Sequence, residues 1–283
     1  MSIAKRLASL LLCGVILLCI SQNALALDTA ASIDEAPQVS VWLNGKPMEF
    51  TIRPLLQNGV TFVSLYEFGT MMGCEVLWHD GYATVTRGDE LSAVCTPGQI
   101  YMTANGRALY LPTPARIIND RIMIPIRALA TVFDMDVEWD GQLMRVNLSG
   151  GGLLTSGDDY YDYDTLYWLS RIISAEARGE PLIGQIAVGN VVFNRVADEE
   201  FPETVYGVIF DQVNGVQFTP TATGTVYAKP REISVIAAKL CLEGADYSCG
   251  ATYFASDKVV TCWAMLNKDL LVTIGTHRFY GDK

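Results

Sequence analysis

The sequence predicts an α+β chain of two domains, a duplicated β-rich half followed by a mainly helical half. Three observations predict it. The 283 residues exceed a single average domain, at roughly 100–200 residues each. Between Val39 and Leu148 the chain repeats itself at a fixed shift, with apolar–polar alternation punctuated by Asn-Gly pairs. Beyond Asp164 the apolar residues recur at helical spacing instead.

The first 26 residues stand apart from both halves. Lys5 and Arg6 form a basic start, Leu7 to Ile20 is apolar, and Ala24-Leu25-Ala26 is a small-x-small cleavage pattern. Residues 1–26 therefore read as a signal peptide. The apolar run is shorter than the ~20 residues that span a membrane. Cys13 and Cys19 each follow a leucine rather than a small residue, which argues against a lipoprotein anchor. The expected location is outside the cell, at the wall.

Without Lys5 and Arg6 the formal charge of −11 becomes −13. No basic stripe remains, which argues against nucleic acid as a partner. Five cysteines follow the leader: Cys74, Cys95, Cys241, Cys249 and Cys262. Export permits disulfides, but the odd count leaves at least one thiol free or paired elsewhere, and the cysteines read as small buried residues, with room for one bridge in each half. His79 and His277 are the only histidines. That scarcity argues against a histidine-rich metal site, so neither metal nor cofactor is expected.

In the first half, Leu43-Asn44-Gly45-Lys46 returns as Ala104-Asn105-Gly106-Arg107, 61 positions on. The same shift lays Asn58-Gly59-Val60-Thr61-Phe62-Val63 on Asn119-Asp120-Arg121-Ile122-Met123-Ile124, and Val76-Leu77-Trp78 on Val137-Glu138-Trp139. A shift held without a gap marks a duplicated unit. Each unit reads as a ββαββ-like element. Asn-Gly pairs favour tight hairpins because both residues tolerate positive φ, and Leu65–Met72 and Ile126–Phe133 carry apolar residues at helical spacing.

The unit, over residues 38–149, resembles the copper amine oxidase N-terminal-like domain. Its residues nonetheless suggest no copper site, because the repeat equivalent of His79 is Asp140. Trp78 and Trp139 invite a sugar-stacking reading, but the preferred expectation is that they fill equivalent core positions. This half is left for binding or spacing, through contacts with cell wall or protein.

Residues 150–164, with the run Asp158-Asp159-Tyr160-Tyr161-Asp162-Tyr163-Asp164, read as a solvated linker. The second domain occupies 165–283. Asp164 can cap a helix with apolar face Leu166, Leu169, Ile172 and Ile173, ending near Ala177. Gly179-Glu180-Pro181 breaks it, and Leu182 to Val196, almost uncharged, should be a buried central helix.

Glu176 falls on the inward stripe near the first helix end. A carboxylate against an apolar core resists ionisation, since burial penalises the charged form. Glycosidic cleavage near neutral pH needs such a general acid. The bland alternative is a cap or an ion pair with Arg178 or Arg195.

Ser174-Ala175-Glu176-Ala177-Arg178-Gly179-Glu180-Pro181, then Gly184-Gln185-Ile186-Ala187-Val188-Gly189-Asn190 and Asn194-Arg195, resembles the SleB/CwlJ cell-wall hydrolase family. Phe201-Pro202, Gly207-Val208-Ile209, Gln217-Phe218-Thr219, Thr252-Tyr253-Phe254 and Gly275-Thr276-His277-Arg278-Phe279-Tyr280 extend the resemblance over about 115 residues. Val216 replaces a glycine of the pattern, Thr219 a serine and Ala255 an asparagine.

The resemblance implies a lysozyme-like, lytic-transglycosylase-like helical fold and degradation of peptidoglycan. The bond cut would be that between N-acetylmuramic acid and N-acetylglucosamine, as in spore cortex lysis. Glu176 would be the general acid and then the base. Gln217, Phe218, Tyr253 and Phe254 are candidates for substrate binding, with Glu180, Asn194 and His277 in support. Glu180 is the rival acid, although beside Pro181 it is expected to be exposed or capping. Gln217 could position sugar or brace its loop, Tyr253 and Phe254 could wall a sugar or fill core, and His277 reads as a structural hydrogen-bonding residue.

Two other functions compete. A zinc amidase (N-acetylmuramoyl-L-alanine amidase) needs about three protein ligands around an activated water, and this half offers one histidine. A wall-binding scaffold with a decayed catalytic half is the reading without enzyme activity, and an intact Glu176 in its motif speaks against it.

Overall fold

The computed structural model describes residues 38–213 and 215–282. The expected signal peptide lies outside the described residues. The first half contains β1 (Ser40–Leu43), β2 (Lys46–Pro47), β3 (Leu55–Gln57), β4 (Val60–Ser64), α1 (Leu65–Met71), β5 (Glu75–Trp78), β6 (Ala83–Arg87) and β7 (Leu91–Cys95). It continues with β8 (Tyr101–Ala104), β9 (Arg107–Tyr110), β10 (Arg116–Ile118), β11 (Arg121–Pro125), α2 (Ile126–Val132), β12 (Met135–Asp140) and β13 (Arg145–Gly150).

Strands β3 and β4 and helix α1 reappear as β10, β11 and α2 with every bound displaced by 61 residues. Positive φ at Asn44, Gly45, Asn58 and Gly59 recurs at Asn105, Gly106, Asn119 and Asp120, as a type I′ hairpin turn requires. The repeats do not fold side by side. β4 pairs antiparallel with β11 in the sheet β10-β11-β4-β3. The opening strands of repeat one join the closing strands of repeat two in β12-β13-β1-β2, where β1 runs parallel to β13. The reciprocal set joins through β7 in β5-β6-β7-β8-β9. The repeats thus exchange strands around one core, including Phe68 and Phe133, both fully buried with ring centroids 5.9 Å apart.

Trp78 and Trp139 are not core. They are 56% and 39% exposed: each lies on the same strand face as a core-packed valine, Val76 or Val137, but near the end of an edge strand, where the packed cover stops.

The second half contains α3 (Gly157–Tyr160), α4 (Tyr163–Ala177), α5 (Leu182–Val196), α6 (Val205–Ile209), α7 (Thr219–Thr223), a 3-10 turn (Thr225–Tyr227) and α8 (Glu232–Leu242). β14 (Tyr253–Ser256), α9 (Trp263–Asn267), β15 (Asp269–Ile274) and β16 (His277–Gly281) close it, with antiparallel sheet order β14-β16-β15. The cap of α4 is Asp162, whose carboxylate accepts from Thr165 N at 2.8 Å, and not Asp164. Helix α5 is buried from Gly184 through Val192. It packs with α4 and α8 around Leu169, Ile172, Ile173, Ile186, Ala237 and Leu240. Gly189 is required there, since a Cβ would lie 2.6 Å from Cys241 Sγ.

The connector between the halves is docked at a few points, although its acidic run is exposed at every residue but Tyr161. Gly157 N donates to Asn105 O at 2.7 Å, and a Cβ on Gly157 would sit 2.6 Å from Gly106 backbone. Tyr161, 7% exposed, donates its hydroxyl to Glu243 Oε1 at 2.7 Å and accepts from Ala108 N at 3.0 Å. Arg107 grips Glu243 with two bonds of 2.8 and 2.7 Å, both side chains being under a tenth exposed. Burial opposes the charge on Arg107, and the hydrogen bond and charge of Glu243 more than offset it, so its pKa is raised. Tyr110 and Tyr247 hydroxyls meet at 3.1 Å across the same seam.

No disulfide joins the described residues, and three of the five cysteines are the small buried residues that the sequence suggests. Among the described residues all five cysteines are free thiols, with Cys74 and Cys95 buried in the core of the first half and Cys241 in that of the second. Burial pushes the Cys95 thiol up to about 12.

Candidate active site

Helix α4 carries Glu176 one residue before its end, half-buried because the helix leaves its packed face there. Burial alone pushes the Glu176 carboxyl up to about 7, with no hydrogen bond or neighbouring charge contributing. The alternatives of a cap or an ion pair fail. Arg178 is exposed, and its carbonyl accepts from Arg231 Nη1 at 3.0 Å. Arg195 donates from Nε to Thr252 O at 2.6 Å and from Nη1 to Gln217 Oε1 at 3.4 Å. The end of α4 is instead tied by Ser174 Oγ, which accepts from Arg231 N at 3.1 Å.

Glu180 is neither exposed nor capping. Its side chain is 9% exposed, and its carboxylate accepts from Thr276 N at 2.9 Å and Thr276 Oγ1 at 2.5 Å. Burial pushes its carboxyl up, but the Thr276 bonds and His277 outweigh it and leave the pKa below the ordinary carboxylate range. Gly275, at φ +57°, gives the close approach, because a Cβ there would collide with Glu180 Oε2. Glu180 therefore pins the β15–β16 turn to the corner between α4 and α5.

The other site residues divide between structure and surface. Phe218, 2% exposed, is core and offers no face to a ligand. It heads the short helix α7 and packs 6.3 Å from Phe254. Phe254, half-buried, also packs 5.4 Å from His277 and 6.0 Å from Phe279. Gln217 donates to Gly215 O at 3.2 Å and accepts from Arg195, which is the loop-bracing role. Asn194 donates to Ser248 Oγ at 2.9 Å and Ala251 O at 2.8 Å, fastening the segment that leads into β14. His277 is buried and its Nδ1 lacks a hydrogen bond, lying 3.6 Å from Glu180 Oε1. That separation leaves an electrostatic contact only.

Tyr253 is half-buried, 5.3 Å from the exposed ring of Trp263 and 6.1 Å from Phe201. The buried Arg195 guanidinium lies 4.9–5.3 Å from the rings of Phe201, Phe218 and Tyr253. Arg195 and Trp263 were not singled out by sequence reasoning for this cluster. The Asn194-Arg195 pair ending α5 was the available signal for the first. Nothing in the local pattern marks Trp263.

Among the described residues no group of three or more His, Cys, Asp or Glu is arranged to hold a metal ion. His79 Nε2 lies 3.0 Å from Thr84 Oγ1, and its ring stacks on Tyr82, which gives no ligand set for copper. A cavity of about 460 Å³ opens beside Leu109, Pro125, Val137, Trp139 and Glu243, at the seam of the two halves. It contains none of the residues around Glu176.

Residues 179–280 match the Cell Wall Hydrolase family, and residues 42–148 match the copper amine oxidase N-terminal domain. The chain carries both domains, in that order reversed along the sequence. The hydrolase match begins three residues after Glu176 and includes Glu180. A spore cortex-lytic enzyme of Halalkalibacterium halodurans is 35% identical over 119 residues, covering 42% of this chain and 35% of the relative. One from Oceanobacillus iheyensis is 32% identical over 155 residues, 51% of this chain and 54% of the relative. The chain thus spans about a third to a half of the length of these curated relatives. Among solved structures, the catalytic domain of the germination-specific lytic transglycosylase SleB from Bacillus anthracis is 33% identical. That match covers 43% of this chain and 97% of that one, with a TM-score of 0.39.

Proposed function

We propose that this protein is an exported peptidoglycan-degrading enzyme that cleaves glycan strands between N-acetylmuramic acid and N-acetylglucosamine, with Glu176 as its acid and base. The observation that carries the proposal is the Glu176 carboxyl. It is held at a helix end, given no protein partner and pushed up to about 7 by burial, within a chain that carries a cell wall hydrolase domain. A protonated carboxyl near neutral pH can give its proton to the glycosidic oxygen as the carbon–oxygen bond breaks. The resulting carboxylate then takes the proton from the 6-hydroxyl of the muramic acid, which closes on its own anomeric carbon. The product is a 1,6-anhydro end. One carboxylate suffices, unlike the paired carboxylates of most glycoside hydrolases.

The relatives named as spore cortex-lytic enzymes, and SleB, named a lytic transglycosylase, support this reading. Export belongs to it because the substrate lies outside the membrane, and the basic start, apolar run and Ala24-Leu25-Ala26 pattern support it. Purified peptidoglycan digested with wild type and Glu176→Gln, read by mass spectrometry, tests the proposal. Anhydro ends that vanish in the variant are expected. Reducing ends would mean that water is the acceptor. Free stem peptides on intact glycan would mean an amidase and would overturn the role of Glu176.

A further inference from the structure

A dense aromatic face lies outside the cluster around Tyr253. Trp168 of α4 stands 5.4 Å from Tyr206 and 5.0 Å from Phe210, both on or just after α6, and 6.0 Å from Tyr227 of the 3-10 turn. Tyr206 and Phe210 stack at 4.6 Å. Tyr206 and Tyr227 are 53% and 60% exposed. Contiguous apolar surface of this kind marks a binding site more often than isolated exposed residues do.

The rings come from three separate elements, so their assembly is a property of the fold and not of one sequence run. Their faces are apolar, while the Tyr206 and Tyr227 hydroxyls are free of hydrogen bonds to other described residues. That combination suits a pyranose, whose ring face is apolar and whose rim carries hydroxyl groups. It suits an acyl chain poorly, since a wall of aliphatic side chains would serve better. Trp168 and Glu176 share α4 and are separated by eight residues. At ~1.5 Å and ~100° per residue they lie about 12 Å apart along the axis and about 80° apart around it. A strand held by the aromatic face can therefore run on toward the end of α4 that carries Glu176.

We propose that the Trp168–Tyr206–Phe210–Tyr227 face is a distal sugar-binding subsite that holds the glycan strand away from the bond being cut. This rests on the reading of Glu176 as a glycan-cleaving acid. The test uses the full chain carrying Glu176→Gln, so that strands bind without being cut. Affinity is measured for long glycan strands stripped of stem peptides, and again after Tyr206→Ala and Tyr227→Ala are added together. Removing two stacking rings should weaken binding roughly tenfold, and Tyr206→Phe with Tyr227→Phe should restore most of it. Unchanged affinity in the alanine variant overturns the subsite, as does binding of free stem peptides at this face in preference to bare glycan.

Should the alanine variant misfold, Trp168 fluorescence on the intact surface decides. Comparison with Trp168→Phe isolates its emission, which long strands should shift and which an unrelated site would leave unchanged. Digestion with the unaltered chain keeps the two proposals separate. No cleavage by wild type is a failure of the proposed function, whereas normal cleavage with no response at this face is a failure of the subsite alone.

Discussion

Glu176 and Glu180 stand one helical turn apart in sequence and leave the ordinary carboxylate range in opposite directions. Glu176 is desolvated without a partner and is pushed up to about 7. Glu180 is also desolvated, but Thr276 and His277 draw its pKa down. Burial is common to both, so burial alone does not make an acid. What separates them is the presence of donors. A carboxylate given hydrogen bonds becomes a structural anion, and one denied them keeps its proton near neutral pH. Glu243 extends the comparison to the domain seam, where Arg107 and Tyr161 hold a third carboxylate.

The sharpest way to break this contrast is to neutralise each carboxylate. Glu176→Gln should lower glycan cleavage by about 10²–10⁴-fold, with the fold retained by circular dichroism. Glu180→Gln should lower it less than about tenfold and show its main effect in thermal unfolding. Equal losses of activity would erase the distinction.

Next in size is the seam. Arg107→Ala leaves Glu243 buried without its cation, and should destabilise the chain by about 3–5 kcal/mol in urea unfolding. A change below about 1 kcal/mol would mean that the halves do not depend on this pair.

Stability against pH separates the two carboxylates by sign. The folded pKa of Glu176 lies above its ordinary value of 4.5. Between about 4.5 and 7 the unfolded chain has released a proton that the folded chain keeps, so stability is lost as pH rises through that window. Glu176→Gln should therefore be more stable than wild type at pH 8, by up to about 3 kcal/mol, and no more stable at pH 4. Glu180 behaves oppositely. Its contribution is present above the ordinary carboxylate value and lost as pH falls through its lowered folded pKa. Activity should decline above about pH 7 as Glu176 ionises, and a rate that is flat to pH 9 would exclude it as the acid.

The smallest effect is expected at Thr276→Val, which removes one of the two Thr276 bonds to Glu180. A loss of about 1–3 kcal/mol, without an upward shift in the activity profile, would keep Glu180 a brace.

Much of the fold was legible because it is written in local pattern. The 61-residue shift reappears in element bounds, and the Asn-Gly pairs reappear as turns with positive φ. Periodicity located α4 and α5, and put Glu176 near a helix end. Other features escaped because they depend on distant partners. Trp78 and Trp139 sit near the ends of edge strands, and alternation does not say how far along such a strand the packed cover reaches. Phe218 looked available in its motif, yet it heads α7 with its ring among core aromatics. The docking of residues 150–164 required Asn105, Ala108 and Glu243 to arrive beside a run that reads as solvated.

The sequence by itself determined the two-part plan, the internal duplication, the helices of the second half and the carboxylate placed against its core. Those follow from short-range periodicity, turn chemistry and repetition, which need no knowledge of what packs where. Tertiary structure alone decided that the repeats exchange strands, that Arg107 meets Glu243 across 136 residues, and that Thr276 reaches Glu180 and not Glu176. Desolvation and the supply of hydrogen-bond donors are set by neighbours distant in the chain. The chemical difference between two glutamates four residues apart is therefore a property of the folded molecule.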